Sequence, residues 1–223
     1  LTDANDVVKE TIDPINETGT GEYTRTAAEI SAGVIPTAYE REPGDRRRYA
    51  TLADAVAVSA SHPLTIYGSE AITAAVTLPA GADIRGFNSP LITLTTNGVH
   101  AFNATSVATI TIRGIRFKGS SASTVPLTGY GGYAAANTGL VTLTSCTDVR
   151  VEDCEFDTFY NGLTAQNCDR LWLNRNRVVT FTYHGILASL STQFQIDHNI
   201  VTDCAQAGAV VSWYPYCVAP PWI

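Results

Sequence analysis

The chain has 223 residues, of which 45% are hydrophobic and 16% are charged, and it carries a formal net charge of −7 at neutral pH. This acidic balance argues against nucleic acid as a partner, and no apolar run approaches the ~18 residues of a transmembrane helix. Five cysteines without a CxxC pair indicate neither a zinc site nor a disulfide framework.

The first 50 residues are predicted to form an N-terminal linker and neck. Residues 1–23 are acidic, polar and interrupted by proline and glycine, so they cannot form a core alone. Because Thr26 and Glu29 have capping-box spacing and Gly33 follows them, we predict a short helix over 24–34. The basic run 46–48 is interpreted as a solvated turn, and the alternative is contact with an acidic partner subunit or a sugar acid.

Residues 51–223 are predicted to form one β domain. An amphipathic helix over 51–61 would cover one end of the domain, and short strands would follow it at 64–68, 72–78, 82–87 and 91–95. The glycine-rich stretch 119–138 breaks the repeat described below and is expected to form a surface loop. No signal-peptide pattern opens the chain. Because the chain starts with Leu, contains no Met and loses its repeat after Gly208, we expect a fragment or processed chain whose β domain is incomplete at its C-terminus.

An eight-residue pattern recurs four times in the second half of the chain. The copies are ITIRGIRF (110–117), VRVEDCEF (149–156), LWLNRNRV (171–178) and FQIDHNIV (194–201). Positions one, three and eight are apolar in every copy, which is the spacing of a strand with one buried face. Glycines spaced by 23 residues accompany the pattern at Gly139, Gly162, Gly185 and Gly208.

A unit of 22 or 23 residues accommodates about three short strands and three bends, which is one coil of a parallel β-helix. Equivalent side chains would stack from coil to coil, as in the column Val149, Leu171 and Phe194. Asn176 and Asn199 are predicted to form an inward amide ladder at a bend, because a buried amide without partners is costly. A leucine-rich repeat has a similar period, but its LxxLxLxxN pattern is absent and no unit contains a helical stretch.

The segment RTAAEISAGVIPTAYEREPGDRRRYA (25–50) resembles the sequence that precedes the β-helix in many bacteriophage tail spikes and tail fibres. In that family, similar TAAE-I-AGV-PT-Y and PGD-RRY stretches lead into a pectate-lyase-like helix, and Val76 to Phe87 resembles the opening coils of that superfamily. The GDG-x-x-DD turn that usually follows is absent here, since Tyr49 and Ala50 pass directly to TLADAV. Nothing that this turn carries elsewhere is transferred to this chain.

The resemblance implies an all-β fold, a right-handed, single-stranded parallel β-helix of the pectin-lyase-like type with a short helical neck and a capping helix. It implies a homotrimer in the virion tail, attached through its N-terminus to other tail or baseplate proteins. Such a protein binds host capsular polysaccharide or lipopolysaccharide and often cleaves it by hydrolysis or β-elimination. We predict no cofactor, no metal ion, and no nucleic-acid or membrane partner.

On a β-helix, outward positions of successive coils line one face. Positions two, four and five of the repeat give three sets of outward residues: Thr111, Arg150, Trp172 and Gln195; Arg113, Glu152, Asn174 and Asp197; and Gly114, Asp153, Arg175 and His198.

Two chemistries fit these residues. Glu152 and Asp197 would lie ~9.6 Å apart, at twice the strand spacing, which is near the upper limit for the acid and base of an inverting glycosidase. In a lyase, His198 would abstract a proton and Arg175 would stabilise the developing charge. Trp172 is predicted to stack on a sugar ring.

Tyr160, Tyr183 and His184 form a second predicted substrate-binding cluster, at a different corner of the coil. The alternative for all of these positions is a solvated outer face with ion pairs between coils, such as Asp153 with Arg175.

Three functions stay open at this point. The favoured function is a tail-spike depolymerase, and the second is a non-catalytic receptor-binding or structural tail component. The third is a free, Ca²⁺-dependent polysaccharide lyase, which needs clustered carboxylates beside an arginine or lysine base. Asp148, Asp153 and Asp157 are close in sequence, but they do not form a dense acidic cluster.

Overall fold

The computed structural model describes residues 23–96, 99–119, 139–202 and 211–212. The predicted linker up to residue 22, the predicted loop over 120–138 and the segment after Ser212 lie outside the described residues.

The described residues contain two short helices, α1 (Ala27–Ser31) and α2 (Leu52–Ala57), and a 3₁₀ turn at Arg46–Arg48. Neither helix is long and apolar enough to cross a membrane. The strands are β1 (Leu64–Ile66), β2 (Glu70–Ile72), β3 (Val76–Thr77), β4 (Asp83–Gly86), β5 (Leu91–Leu94), β6 (Phe102–Thr105), β7 (Ala108–Arg113), β8 (Arg116–Lys118), β9 (Gly139–Thr144), β10 (Thr147–Glu152), β11 (Glu155–Gln166), β12 (Asp169–Asn174), β13 (Arg177–Ser189), β14 (Thr192–Asp197), β15 (Ile200–Val201) and β16 (Val211–Ser212).

These strands wind into a parallel β-helix, as the repeat predicts. The sheet that carries the candidate residues has the order β1-β4-β7-β10-β12-β14, and we refer to it as the first sheet. The remaining strands form the other walls of the helix, and the strand pairs of the described residues are parallel. Hydrogen-bonded partners on successive late coils are 22 or 23 residues apart.

The predicted three strands are separate in the early coils. In the units that begin at β10 and β12, the second and third strands are continuous as β11 and β13. A bend remains inside each long strand, since Thr158 and Thr180 have positive φ. The pairing of β11 with β13 shifts register between Phe159 and Asn161, which leaves one extra residue in β13. Such a bulge bends a strand while the ladder continues on both sides.

The interior consists of stacked apolar side chains. Val149 pairs with Leu171, which pairs with Phe194, and this confirms the predicted column. The rings of Phe117 and Phe156 stack with centroids 5.3 Å apart. Burying each such side chain contributes roughly 1.5–3 kcal/mol, so the columns account for much of the stability of the solenoid.

The asparagine ladder is also confirmed. The Asn176 side chain accepts a hydrogen bond from the Cys154 amide at 3.1 Å and donates to the Val151 carbonyl at 2.9 Å. It also donates to the Asn199 side-chain oxygen at 3.0 Å. The amides therefore satisfy backbone groups that the bend removes from the ladder.

The neck, residues 23–50, packs onto the first coil. Thr26 and Glu29 form the predicted capping box of α1, and Gly33 adopts a positive φ of 69° after the helix. Asp45 forms a parallel bridge to Thr65 of β1, so the neck extends the first sheet by one position. The predicted buried face is confirmed for Leu52, Ala55 and Val56 of α2, and Ser59, which follows the helix, is buried as well.

The interpretation of residues 46–48 as a solvated turn is wrong for Arg46 and Arg48, which are buried. Arg48 pairs with Glu29 at 2.6 Å, and both side chains are 0% exposed. Arg46 pairs with Glu70 at 3.0 Å. The run therefore neutralises carboxylates of its own chain, and only Arg47 is exposed.

Hydrogen bonds keep the buried Glu29 carboxylate charged. Burial by itself raises the pKa of Glu29, but hydrogen bonds from Arg48, the Thr26 amide and the Tyr49 hydroxyl outweigh burial and hold that pKa below its usual value. The same burial, together with the neighbouring carboxylate, raises the pKa of Tyr49. Glu29, Arg48 and Tyr49 thus form one buried, hydrogen-bonded network in the neck.

Candidate functional site

The register of the first sheet brings the predicted outward residues into vertical rows. Arg113 of β7 pairs with Glu152 of β10, which pairs with Asn174 of β12, which pairs with Asp197 of β14. We refer to these four residues as the polar column. Glu152 and Asp197 are therefore separated by one intervening coil, as the repeat predicts, and the Asn174 side chain belongs to that coil.

The next residue of each coil forms a bend. Gly114, Asp153, Arg175 and His198 all have positive φ values between 53° and 68°. Their amides continue the ladder, since the Asp153 amide donates to the Asn174 carbonyl and the Arg175 amide donates to the Asp197 carbonyl, each at 3.1 Å. These bonds hold non-glycine residues in a conformation that they otherwise adopt rarely.

The bend residues on adjacent coils are already paired. Arg175 donates two hydrogen bonds to the Asp153 carboxylate, at 2.7 and 2.8 Å, which confirms the predicted ion pair. The Arg175 guanidinium lowers the pKa of Asp153, and the same contact raises the pKa of Arg175. A catalytic role for Arg175 would require this exposed pair to open.

The polar column is different, because Arg113, Glu152 and Asn174 make no side-chain hydrogen bond or ion pair among the described residues. Among the described residues, the Glu152 carboxylate makes no hydrogen bond or ion pair, although Arg113 is next to it in register. The Arg113 Nε and Asn174 Oδ1 atoms are buried and have no hydrogen-bond partner within the described part of the chain. Buried polar atoms normally have partners, so these two atoms distinguish the polar column from the paired residues beside it.

The other end of the polar column carries a carboxylate–imidazole pair. The His198 Nδ1 atom lies 3.0 Å from Asp197 Oδ1, and the two side chains are 77% and 46% exposed. An imidazole beside a carboxylate is a suitable arrangement for moving a proton. The structure thus brings Asp197 and His198 together, and it leaves both accessible.

Trp172 lies on the same face of β12, two residues before Asn174. The Arg150 guanidinium of the adjacent coil lies 4.7 Å from the centre of the indole ring. This cation–π contact holds a half-buried aromatic beside the polar column. An aromatic surface next to carboxylates and amides is suited to a sugar ring, which has apolar faces and hydroxyl edges.

The comparison with known families agrees with this architecture. The family described as "Right handed beta helix region" matches residues 64–216. The chain belongs to this family. The match begins at β1, so the neck that carries the tail-spike resemblance precedes it. No curated protein and no solved structure matches the chain.

Tyr160, Tyr183 and His184, the second predicted cluster, belong to the long strands β11 and β13, near the register shift. In this stretch β11 changes its partner from β8 to β9. The His184 side chain is 7% exposed, and its burial lowers its pKa. The side chains of Tyr160 and Tyr183 lie outside the described part of the chain. The structure therefore does not bring His184 to the polar column.

The described residues offer no metal site. No group of three or more His, Cys, Asp or Glu side chains among them could hold an ion. Asp148 pairs with Arg170 and Asp153 pairs with Arg175, so two of the acids considered for calcium are neutralised by arginines of the next coil.

Sequence reasoning places Arg113, Arg150 and Asn174 on the outer face but assigns them no role. Their repeat positions are the same as those of Glu152 and Trp172, so register identifies them equally well. Pairing distinguishes them, because only the structure shows which polar groups have partners. Arg113 and Asn174 are the residues that this criterion adds to the site.

Proposed function

We propose that this right-handed β-helix is a bacteriophage tail-spike protein that binds a polysaccharide of the host surface along the polar column and cleaves it. The observation that carries the proposal is the unsatisfied polar column beside the Arg150–Trp172 contact. Elsewhere on the outer face, carboxylates pair with arginines, as in Asp148–Arg170. A face whose only role was solubility would not need to leave buried polar atoms without partners.

The phage assignment rests on the neck, whose sequence resembles tail spikes. In this proposal the chain acts as a homotrimer in the virion tail at the host cell surface, and its N-terminus attaches it to other tail or baseplate proteins. The capping box and the Glu29–Arg48 pair support a rigid connection between such an attachment and the β-helix, because they couple α1 to the segment that covers β1.

Hydrolysis is the reaction that the polar column favours. Glu152 and Asp197 flank one coil, so their backbones lie roughly 9.6 Å apart, and a water molecule and a glycosidic bond fit between two carboxyl groups at about 6.5–9.5 Å. Glu152 and Asp197 act as the general base and general acid. The alternative is β-elimination with His198 as the base, which its 3.0 Å contact with Asp197 favours.

The test is incubation of the purified chain with capsular polysaccharides and lipopolysaccharide O-chains, followed by mass spectrometry of the products. Saturated fragments indicate a hydrolase, and Glu152→Gln and Asp197→Asn each lower the rate by about 10²–10⁴-fold. Unsaturated fragments indicate a lyase, and His198→Ala then shows the largest loss. Asp148→Asn is the matched control, since Asp148 is an outward carboxylate of β10 that is engaged by Arg170.

Two results would contradict the proposal. If the polysaccharides bind but stay intact, cleavage is wrong and the protein is an adhesin. If no polysaccharide binds, the assignment of the polar column to a glycan is wrong as well.

A further inference from the structure

Arg113 is unusual among the arginines of this chain. It lies in β7, in register with Arg85 of β4 on one side and Glu152 of β10 on the other. Its side chain is half-buried, and its Nε atom is buried without a hydrogen-bond partner among the described residues. A guanidinium carries five N–H donors in a fixed fork, so a ligand has several donors to use here.

The neighbouring arginines show what Arg113 lacks. Arg85 pairs with Asp83, Arg170 with Asp148, and Arg175 with Asp153. The arginines of the adjoining sheet, Arg116 and Arg177, share Glu155. Of the arginines that the structure describes, Arg113 alone has no ion pair, hydrogen bond or ring contact.

Arg113 lies between a guanidinium and a carboxylate, because Arg85 and Glu152 are in register on its two sides. Arg150, two residues before Glu152 on the next coil, contacts Trp172 and forms no ion pair among the described residues. Arg113 and Arg150 thus place two guanidiniums without ion pairs on one face of a chain whose formal charge is −7. Local complementarity of this kind selects charged ligands.

We infer that Arg113 binds an anionic group of the glycan, so that the polysaccharide recognised by the polar column is acidic. This inference rests on the proposed function. The guanidinium fork matches a carboxylate, a phosphate or a sulfate through two parallel hydrogen bonds. With the anion at Arg113, the glycan extends past Glu152 toward Trp172 and Asp197.

The test is a glycan array that displays neutral bacterial oligosaccharides and oligosaccharides that carry uronate, phosphate or sulfate groups. Each bound glycan is then compared with its carboxyl-reduced, dephosphorylated or desulfated form, which identifies the source of the anion. The full chain is tested as wild type, Arg113→Gln, Arg113→Lys and Arg116→Gln. The last variant is the matched control, because Arg116 is an outward arginine that Glu155 already engages.

We expect the wild type to prefer an anionic glycan and Arg113→Gln to weaken that binding about ten- to hundredfold. Arg113→Lys keeps the charge but loses the fork, so it recovers part of the affinity, and Arg116→Gln binds like the wild type. Circular dichroism and melting confirm that each variant is folded. If Arg113→Gln does not fold, the affinity of Arg113→Lys for the glycan decides: a partial loss supports the inference, and an unchanged affinity contradicts it.

The outcomes separate this inference from the proposed function. Glycan binding that is equal for anionic and neutral forms, or unchanged in Arg113→Gln, overturns the inference and leaves polysaccharide binding intact. Absence of binding to any glycan overturns both.

Discussion

The neck and the outer face of the first sheet differ in whether adjacent charged side chains form ion pairs. In the neck, Glu29 and Arg48 are fully buried and pair with each other at 2.6 Å. On the outer face, Arg113 and Glu152 are adjacent in register, yet neither forms an ion pair within the described residues. The difference teaches that the segment with the tail-spike resemblance has a structural role, whereas the groups available to a ligand lie in the repeat.

The largest loss of stability should follow from removing the buried ion pair of the neck. Arg48→Ala leaves a buried carboxylate without its counter-charge, so we expect a loss of about 3–5 kcal/mol in the free energy of unfolding. Urea denaturation measures this loss. Arg47→Ala is the control, because Arg47 is the exposed neighbour that pairs with Asp45. Equal midpoints for the two variants would contradict the buried network.

The asparagine ladder should come next. Asn176→Ala leaves the Cys154 amide and the Val151 carbonyl without their side-chain partner. Each buried group left unpaired costs about 1–3 kcal/mol. We expect a corresponding drop in the free energy of unfolding, and a drop under about 0.5 kcal/mol would show that the ladder is not a stabilising feature.

Acid should weaken the neck specifically. The pKa of Glu29 is lowered from its usual value of 4.5, so its contribution to stability is fully present above that value and is lost as pH falls through the lowered pKa. Melting curves between about pH 6 and about pH 3 should therefore show falling stability. In Glu29→Gln this dependence should be smaller, and an unchanged pH dependence would contradict the assignment.

The smallest effect is expected on the outer face. Asp153 and Arg175 form an exposed pair, and such pairs contribute little to stability. Asp153→Asn should shift the melting temperature by less than ~2 °C. A shift above ~5 °C would mean that the bend column, like the neck, is a structural device.

The repeat made the core and the register predictable. Apolar positions recur with the coil period, so the stacking of Val149, Leu171 and Phe194 follows directly from the sequence. The same period places Glu152 and Asp197 on one face. These are properties of neighbouring coils, and a parallel β-helix repeats them along its axis.

Long-range pairing was not predictable. Three consecutive arginines have the composition of a surface turn. The carboxylates that pair with Arg48 and Arg46 lie 19 and 24 residues away along the chain. The bulge near His184 depends on one extra residue in β13. Neither feature has a local signal, and the lack of an ion pair at Arg113 among the described residues depends on side-chain geometry that the sequence does not specify.

The most direct test compares Asn174 and Asn176, two residues apart on opposite faces of one coil. For Asn174→Ala and Asn176→Ala, unfolding and glycan binding are measured on the same preparations. We predict that Asn176→Ala loses stability while its folded fraction binds normally, and that Asn174→Ala keeps its stability but binds weakly. If Asn174→Ala binds like the wild type, or if both variants lose only stability, the polar column is not the binding site.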